Sequence, residues 1–306
     1  MKKTVRVKAL NSLKMLSLLF FLFIQIIFIF MFGLFFKKSF FGIWDNLFFV
    51  IISNFIMLIG FAAAFFVGLS QVFLPSGGGF YFFRAVLELL ASVIAGIVLF
   101  SYSTCAKKIA LFETPRYDDL FHGLLNHSKT GALFGLFVGI IIEILKVAVP
   151  FYLKMWRNNR GTPIESVAFI VLVIIFWVCV TLLLSVQYFY AVYSLMGNNF
   201  KKCFRKCLIL FFDNMGFSVK MLFLNLFNLL ISIPFMFVIP GIAAVLQTQV
   251  CAFKVLLYKY DWLEVNPELS VKERKMVPWG QLLQKERKLI GIRSLKSFFF
   301  PWRDTN

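Results

Sequence analysis

Long apolar runs separated by short polar intervals constrain this chain more than any other feature of its sequence. A helix that crosses a bilayer needs about 20 predominantly apolar residues, and runs of that kind cover 15–36, 46–70, 85–105, 131–153, 166–195 and 219–258. Because 60% of the residues are hydrophobic and 15% are charged, one soluble core could not bury the apolar surface. The sequence therefore predicts an all-α, polytopic transmembrane helix bundle of six or seven spans.

The last apolar run is too long for a single crossing. As one helix its roughly 40 residues would extend about 60 Å, twice the roughly 30 Å hydrocarbon core. Pro240 lacks a backbone N–H and Gly241 accepts the backbone angles of a reversal, so we expect two spans with a break at this dipeptide. The run also echoes an earlier one, with Asn225-Leu-Phe and Gly241-Ile-Ala-Ala matching Asn46-Leu-Phe and Gly60-Phe-Ala-Ala, which is compatible with a duplicated architecture.

Two polar intervals have the apolar periodicity of helices that lie at a membrane surface. In the interval 106–130, Thr114 is predicted to cap a helix whose first residue is Pro115, and an apolar face follows at Tyr117, Leu120, Phe121, Leu124 and Leu125. The interval 199–212 places apolar and cysteine side chains on one helical face and four cations on the other, Lys201, Lys202, Arg205 and Lys206. We interpret these four cations as candidate contacts with lipid or with a partner protein.

The formal net charge of +18 comes from Lys and Arg residues that flank the apolar runs, which indicates membrane topology and not nucleic-acid binding. The two surface helices are separated by two spans and so lie on the same side. The positive-inside rule places that side in the cytoplasm. Counting back through three spans puts the basic N-terminus outside, so either the first run does not cross or the rule is broken there.

The sequence predicts no catalytic, cofactor-binding or metal-binding residues, and the chain is not expected to be an enzyme. Its five cysteines are scattered without a pairing framework, so we expect free thiols. Cys203 and Cys207 share a helical face, but packing is favoured over a metal or redox site because no third or fourth ligand accompanies them. His122 and His127 are spaced too far apart around a helix to act together.

Glu143 and Lys146 form a close acid and base pair within an apolar run, and their spacing of three residues places them on one helix face. An intramembrane pair of this kind predicts a functional site, and mutual pairing with snorkelling towards the nearby loop is the alternative. Together with Asn225 and Asn228, the pair forms the candidate intramembrane polar site. With Gln187 added, these residues would line the polar path of a small-solute permease.

An apolar span ends in Gly96-Ile-Val-Leu-Phe-Ser-Tyr-Ser-Thr104, and it is followed by Lys107-Lys-Ile, Tyr117, Asp119-Leu-Phe121 and Asn126. This order of span, basic turn and aromatic-containing surface helix, together with residues 199–249, resembles the YesL-like family of bacterial integral membrane proteins. The resemblance implies a multi-pass protein of the bacterial inner (cytoplasmic) membrane, an accessory protein found beside carbohydrate-uptake genes. It implies no catalytic residues.

We divide the chain into a basic segment with the first span (1–37), a YesL-like membrane domain (38–260) and a basic cytoplasmic tail (261–306). Residues 37–45 are expected to form a loop that places Trp44 at the lipid interface. The tail is expected to form a basic helix on anionic lipid, and a free tail is the alternative. The leading hypothesis is a non-enzymatic accessory or regulatory component of carbohydrate transport that needs no cofactor. Its expected partners are the lipid bilayer and a membrane transporter complex, and the alternative is a small-solute permease.

Overall fold

The computed structural model describes residues 33, 35–74, 80–270 and 273–291. Its helices are α1 (35–45), α2 (Leu47–Leu69), α3 (Tyr81–Ser101), α4 (Ser103–Ala110), α5 (Tyr117–Asn126), α6 (Ser128–Asn158), α7 (Pro163–Val186), α8 (Phe189–Met196), α9 (Phe200–Asp213), α10 (Met215–Ser232), α11 (Gly241–Val265), α12 (Trp279–Leu282) and α13 (Gln284–Ile290). Short 3-10 segments cover Ser70–Phe73, Ile233–Phe235 and Glu273–Lys275. No strand occurs in the described residues, and the all-α prediction is confirmed.

Six helical stretches of the described chain are long and apolar enough to cross a membrane. They are Leu47–Phe73, Tyr81–Ala110, Ser128–Asn158, Pro163–Met196, Met215–Phe235 and Gly241–Val265. They match the predicted runs from residue 46 onward, with the last run divided in two as expected. The first predicted run, 15–36, falls almost entirely outside the described residues. The architecture is that of a multi-pass membrane protein.

The chain forms two compact units, one of residues 42–254 and one that combines the described parts of 1–41 and 255–306. In the first unit, α3 packs along both α2 and α6, and α6 packs along α7. The two amphipathic helices pack on the long helices that precede them, α5 on α3 and α9 on α7. The long helices therefore pack against one another, and the two amphipathic helices pack against the long ones.

The same order of elements occurs twice in the first unit. A long helix breaks at a buried tyrosine, a short helix and an amphipathic helix follow, and a second long helix completes the set, first as α3 to α6 and then as α7 to α10. The tyrosines are Tyr102 and Tyr188, and both are fully buried. This duplication differs from the one suggested by the sequence echo, because Gly60 lies inside the continuous α2 whereas Gly241 begins α11 after a turn.

Glycines allow α3 and α6 to approach until their backbones touch. Gly131, Gly135 and Gly139 recur at every fourth residue of α6, and all three are buried. A Cβ atom added to Gly131 or Gly135 would come closer than 3.0 Å to backbone atoms of α3, and Gly96 of α3 faces the same two residues. Small residues at this spacing are the usual means by which membrane helices pack closely.

Asn54 of α2 holds the break between α10 and α11. Gly241 has a φ of 71° and begins α11, so the break predicted at Pro240-Gly241 is confirmed. Asn54 is 1% exposed and makes three hydrogen bonds with the backbone around the break. Its Nδ2 donates to the carbonyl oxygens of Val238 at 3.0 Å and Pro240 at 2.8 Å. Its Oδ1 accepts the Ala243 N–H at 2.7 Å. These bonds satisfy backbone groups that the broken helix leaves unpaired.

Both predicted surface helices are present, but the predicted start of the first is wrong. Thr114 and Pro115 precede the helix, and Arg116 is the N-cap of α5. The reason is that the Asp119 carboxylate accepts the Arg116 N–H at 2.8 Å, which fixes the cap two residues later than predicted. In α9 the predicted division of faces is confirmed, with Cys203 and Cys207 buried and Lys201, Lys202 and Arg205 exposed.

Residues 37–45, predicted as a loop, belong to the helix α1. In the second unit, Lys38 of this helix is 3% exposed and donates to Glu286 Oε2 at 2.5 Å, and the Tyr258 hydroxyl donates to Glu286 Oε1 at 2.7 Å. Leu283 and Ile290 of the same tail segment are also buried. This part of the tail, which we predicted to lie on lipid, therefore has two apolar side chains and one carboxylate inside the protein.

Candidate functional site

The predicted acid and base pair exists, and a third residue joins it. Lys146 Nζ donates to Glu143 Oε1 at 3.2 Å and also forms an ion pair with Glu88 of α3. Sequence reasoning missed Glu88, although it is the one acidic residue in the run 85–105. The side chain of Lys146 is 48% exposed, which fits snorkelling, and its two ion pairs offset part of the cost of charges in an apolar segment.

Asn225 and Asn228 lie on α10 and do not join this charged cluster. Asn228 Nδ2 donates to Thr248 Oγ1 of α11 at 3.3 Å, which links the two halves of the broken run. Asn225 lines a separate cavity, whose lining includes neither Asn228 nor Glu143 nor Lys146. The candidate intramembrane polar site is thus divided among three places, since sequence spacing within one helix does not determine which neighbouring helix a side chain meets.

The cavity has a volume of about 780 Å³ and is bounded mainly by α3, α6, α7, α10 and α11, with Tyr190 contributed by α8. Most of its lining is aliphatic or aromatic, and the polar side chains in it are Gln187, Tyr190, Asn225 and Gln249. Asn225 is 6% exposed, and its Oδ1 has no hydrogen-bond partner. Of the residues predicted to form a polar path, Gln187 and Asn225 meet here.

A second polar cluster lies where α4, α5 and α8 meet. Lys108 Nζ donates to both carboxylate oxygens of Asp119 at 2.7 Å. His127 pairs through Nε2 with Thr104 Oγ1 at 3.0 Å and through Nδ1 with the Tyr193 hydroxyl at 2.9 Å. His122 is exposed, so the two histidines do not form one site, as their spacing predicts.

The electrostatics of this cluster favour a charged Asp119 and a neutral His127. Burial raises the pKa of the Asp119 carboxyl, but hydrogen bonds from Lys108 and the Arg116 backbone, with the positive charges of both residues, hold that pKa below its ordinary value. Burial, and secondarily the nearby Lys107, lowers the pKa of His127. In the neutral His127, one ring nitrogen donates a hydrogen bond to a hydroxyl group and the other ring nitrogen accepts one.

The neutral His127 predicts a loss of stability in mild acid. A histidine in the unfolded chain takes up a proton below pH about 6.5, whereas the folded protein resists protonation, so stability should fall as pH drops below that value and level off below the folded-state pKa. We expect the thermal midpoint in detergent to fall between pH 7.5 and pH 5.5, and H127Q to reduce that fall. H122Q is the matched control. An equal fall in wild type and H127Q would contradict the prediction.

The cysteines of α9 are packing residues. Cys203 and Cys207 are fully buried, and burial raises the pKa of Cys203 to about 11 and that of Cys207 further still. Burial and a raised pKa both disfavour the thiolate, which is the reactive form of cysteine. Across the described parts of the chain, no group of three or more His, Cys, Asp or Glu side chains could hold a metal ion.

The polar face of α9 presents its cations outward from a fixed position. Lys201, Lys202 and Arg205 are exposed, and Lys206 is half-buried with its Nζ 3.0 Å from Met196 Sδ. Ring contacts fix the opposite face, because Phe204 lies 5.2 Å from Phe137 of α6 and Phe200 lies 4.9 Å from Phe189 of α8. These four cations, which we call the α9 basic face, are therefore carried by a helix whose opposite face packs against α6 and α8.

Comparison with protein-family models, curated proteins and solved structures finds no match to this chain. The resemblance to the YesL-like family therefore rests on the residues that carry it.

Proposed function

We propose that the protein is a non-enzymatic accessory component of a bacterial inner-membrane transport system, of YesL-like type, and that it docks on its transporter through the α9 basic face. The supporting observation is that Lys201, Lys202 and Arg205 are exposed while the opposite face of α9 is buried. A basic patch on a fixed helix suits an acidic surface of a partner protein and would steer its approach. The family resemblance makes a carbohydrate transporter the expected partner.

The alternative function, a small-solute permease, has less support. A permease of the predicted kind needs Glu143, Lys146, Gln187, Asn225 and Asn228 along one path. Gln187 and Asn225 line the cavity, but Asn228 bonds to Thr248, and Lys146 forms ion pairs with both Glu143 and Glu88. The polar groups of the spanning helices are thus used mainly for contacts between helices.

Co-purification tests the proposal. The tagged protein would be extracted in a gentle detergent, and its partners quantified by mass spectrometry for wild type and for the triple variant K201E/K202E/R205E. We expect subunits of one transport complex in stoichiometric amount with wild type and at least tenfold less with the variant, because charge reversal replaces attraction by repulsion.

A second triple variant provides a matched control. Three exposed cations lie where α6 ends and the turn to α7 begins: Lys154, Arg157 and Arg160. The variant K154E/R157E/R160E therefore makes the same change of charge at a site outside α9. It should retain the transporter. Purification of the wild-type protein without any transport subunit, or equal retention by both variants, would refute docking through the α9 basic face.

A further inference from the structure

The cavity between α3, α6, α7, α10 and α11 has the size of a ligand site. Its volume of about 780 Å³ falls within the roughly 300–1,000 Å³ of small-molecule pockets. Apolar side chains from all five helices form most of its wall, and a small number of polar groups interrupt them. An apolar wall with a few fixed polar groups is the usual composition of such pockets.

Three buried oxygen atoms in this wall have no hydrogen-bond partner, and they belong to Gln187, Tyr190 and Asn225. Gln187 uses its amide nitrogen to donate to the carbonyl oxygens of Leu184 and Ser218, both at 2.9 Å, and its Oε1 has no partner. Asn225 Oδ1 and the Tyr190 hydroxyl oxygen are likewise buried without a partner. A buried acceptor without a hydrogen bond destabilises a fold. A bound molecule that donates a hydrogen bond to the acceptor would remove this cost.

The charge of the wall restricts the occupant further. No Lys, Arg, Asp or Glu of the described chain lines the cavity. A phosphate or carboxylate would have no cation to pair with, and an ammonium group would have no anion, so burying either charge would be costly. The occupant is therefore neutral, with a hydroxyl or amide N–H as its donor.

Several apolar side chains of the cavity wall are exposed. Phe176, Leu183 and Leu226 line the cavity and are 59%, 58% and 45% exposed. All three belong to helices of membrane-spanning length, α7 and α10, and their apolar surface suits contact with acyl chains. Entry from the bilayer suits a molecule that is itself mainly apolar.

We infer that the cavity binds a neutral lipid with a free hydroxyl group, such as a diacylglycerol or a long-chain alcohol. The apolar chain lies against α6 and α7, and the hydroxyl donates to Asn225 Oδ1, with Gln187 Oε1 as a second acceptor for a head that carries another donor. This site is independent of the α9 basic face and goes beyond the proposed function.

Photolabelling in nanodiscs of phosphatidylcholine, whose headgroup has no hydrogen-bond donor, tests the inference on the full chain. The probe is hexadecanol with a diazirine near the end of its chain, and the comparison probe is its methyl ether, which has the same chain and no donor. We expect the alcohol to label peptides of α6, α7 or α10 that line the cavity about tenfold more strongly than the ether, because one hydrogen bond to a buried acceptor distinguishes them.

Two leucine variants of α10 locate the acceptor. N225L should lower alcohol labelling to the level of the ether, whereas N228L, one turn away and outside the cavity wall, should retain the preference. The comparison of alcohol with ether in the wild-type protein decides the question even if a variant does not fold. Equal labelling by the two probes, or labelling confined to peptides outside the cavity, would overturn the inference, and neither result bears on docking at α9.

Discussion

Replacing Gly135 by leucine is expected to abolish the folded protein. A Cβ atom at this position would meet the backbone of α3 at Ser92 and Val93, closer than 3.0 Å, so no change of rotamer can relieve the contact. The two helices would have to separate along their whole contact, which also contains Gly96 and Gly131. Even G135A should cost roughly 1–3 kcal/mol, the usual penalty of overpacking, despite the better helix propensity of alanine.

The yield of monodisperse protein and its thermal midpoint in detergent measure this effect. Gly216 of α10 is the matched control, because a Cβ atom there would meet nothing within 4 Å. G216A and G216L should leave the midpoint unchanged or raise it, since alanine and leucine are better helix formers than glycine. The close packing of α3 on α6 is refuted if G135A and G216A have the same midpoint and G135L is recovered in normal yield.

Local apolar patterns were sufficient to predict the membrane helices and the surface helices. The length of the run 219–258 and the dipeptide Pro240-Gly241 predicted two helices with a break, because both arguments depend on residues that are close in sequence. The division of α9 into a buried face and a basic face follows in the same way from a period of 3.6 residues. Patterns of this kind predict which face of a helix is apolar. They do not predict which other helix that face contacts.

Two features of the site could have been found in the sequence. Gly131, Gly135 and Gly139 have the spacing of a tight helix contact, and Glu88 is a lone acid in an apolar run that needs a partner. The partners themselves were not predictable, because nothing local in α3 specifies α6 as its neighbour. The same limit made residues 37–45 look like a loop, because the ion pair that offsets the burial of Lys38 is formed with Glu286, which is 248 positions away.

The ion pair between Lys38 and Glu286 therefore predicts a large effect of a single substitution. Both residues are almost fully buried, at 3% and 1% exposure. K38M would remove the Lys38 cation from the buried Glu286 carboxylate, and breaking a buried ion pair in this way typically costs about 3–5 kcal/mol. The double variant K38M/E286Q should lose less, because it buries no charge and keeps an acceptor for Tyr258.

Hydrogen exchange of the peptide that covers 279–290, together with the unfolding midpoint, measures the loss. K38M should speed exchange across α13, and the double variant should return it most of the way towards wild type. K37M is the control at the neighbouring residue, since Lys37 is only half-buried and donates to the Gly291 carbonyl at 3.2 Å, so its loss should change stability by no more than about 0.5 kcal/mol. The pair joins α1 to α13 within one unit. If hydrogen exchange were equal in K38M and K37M, the ion pair would not be what holds the tail segment in place. Packing of the buried Leu283 and Ile290 would then hold it.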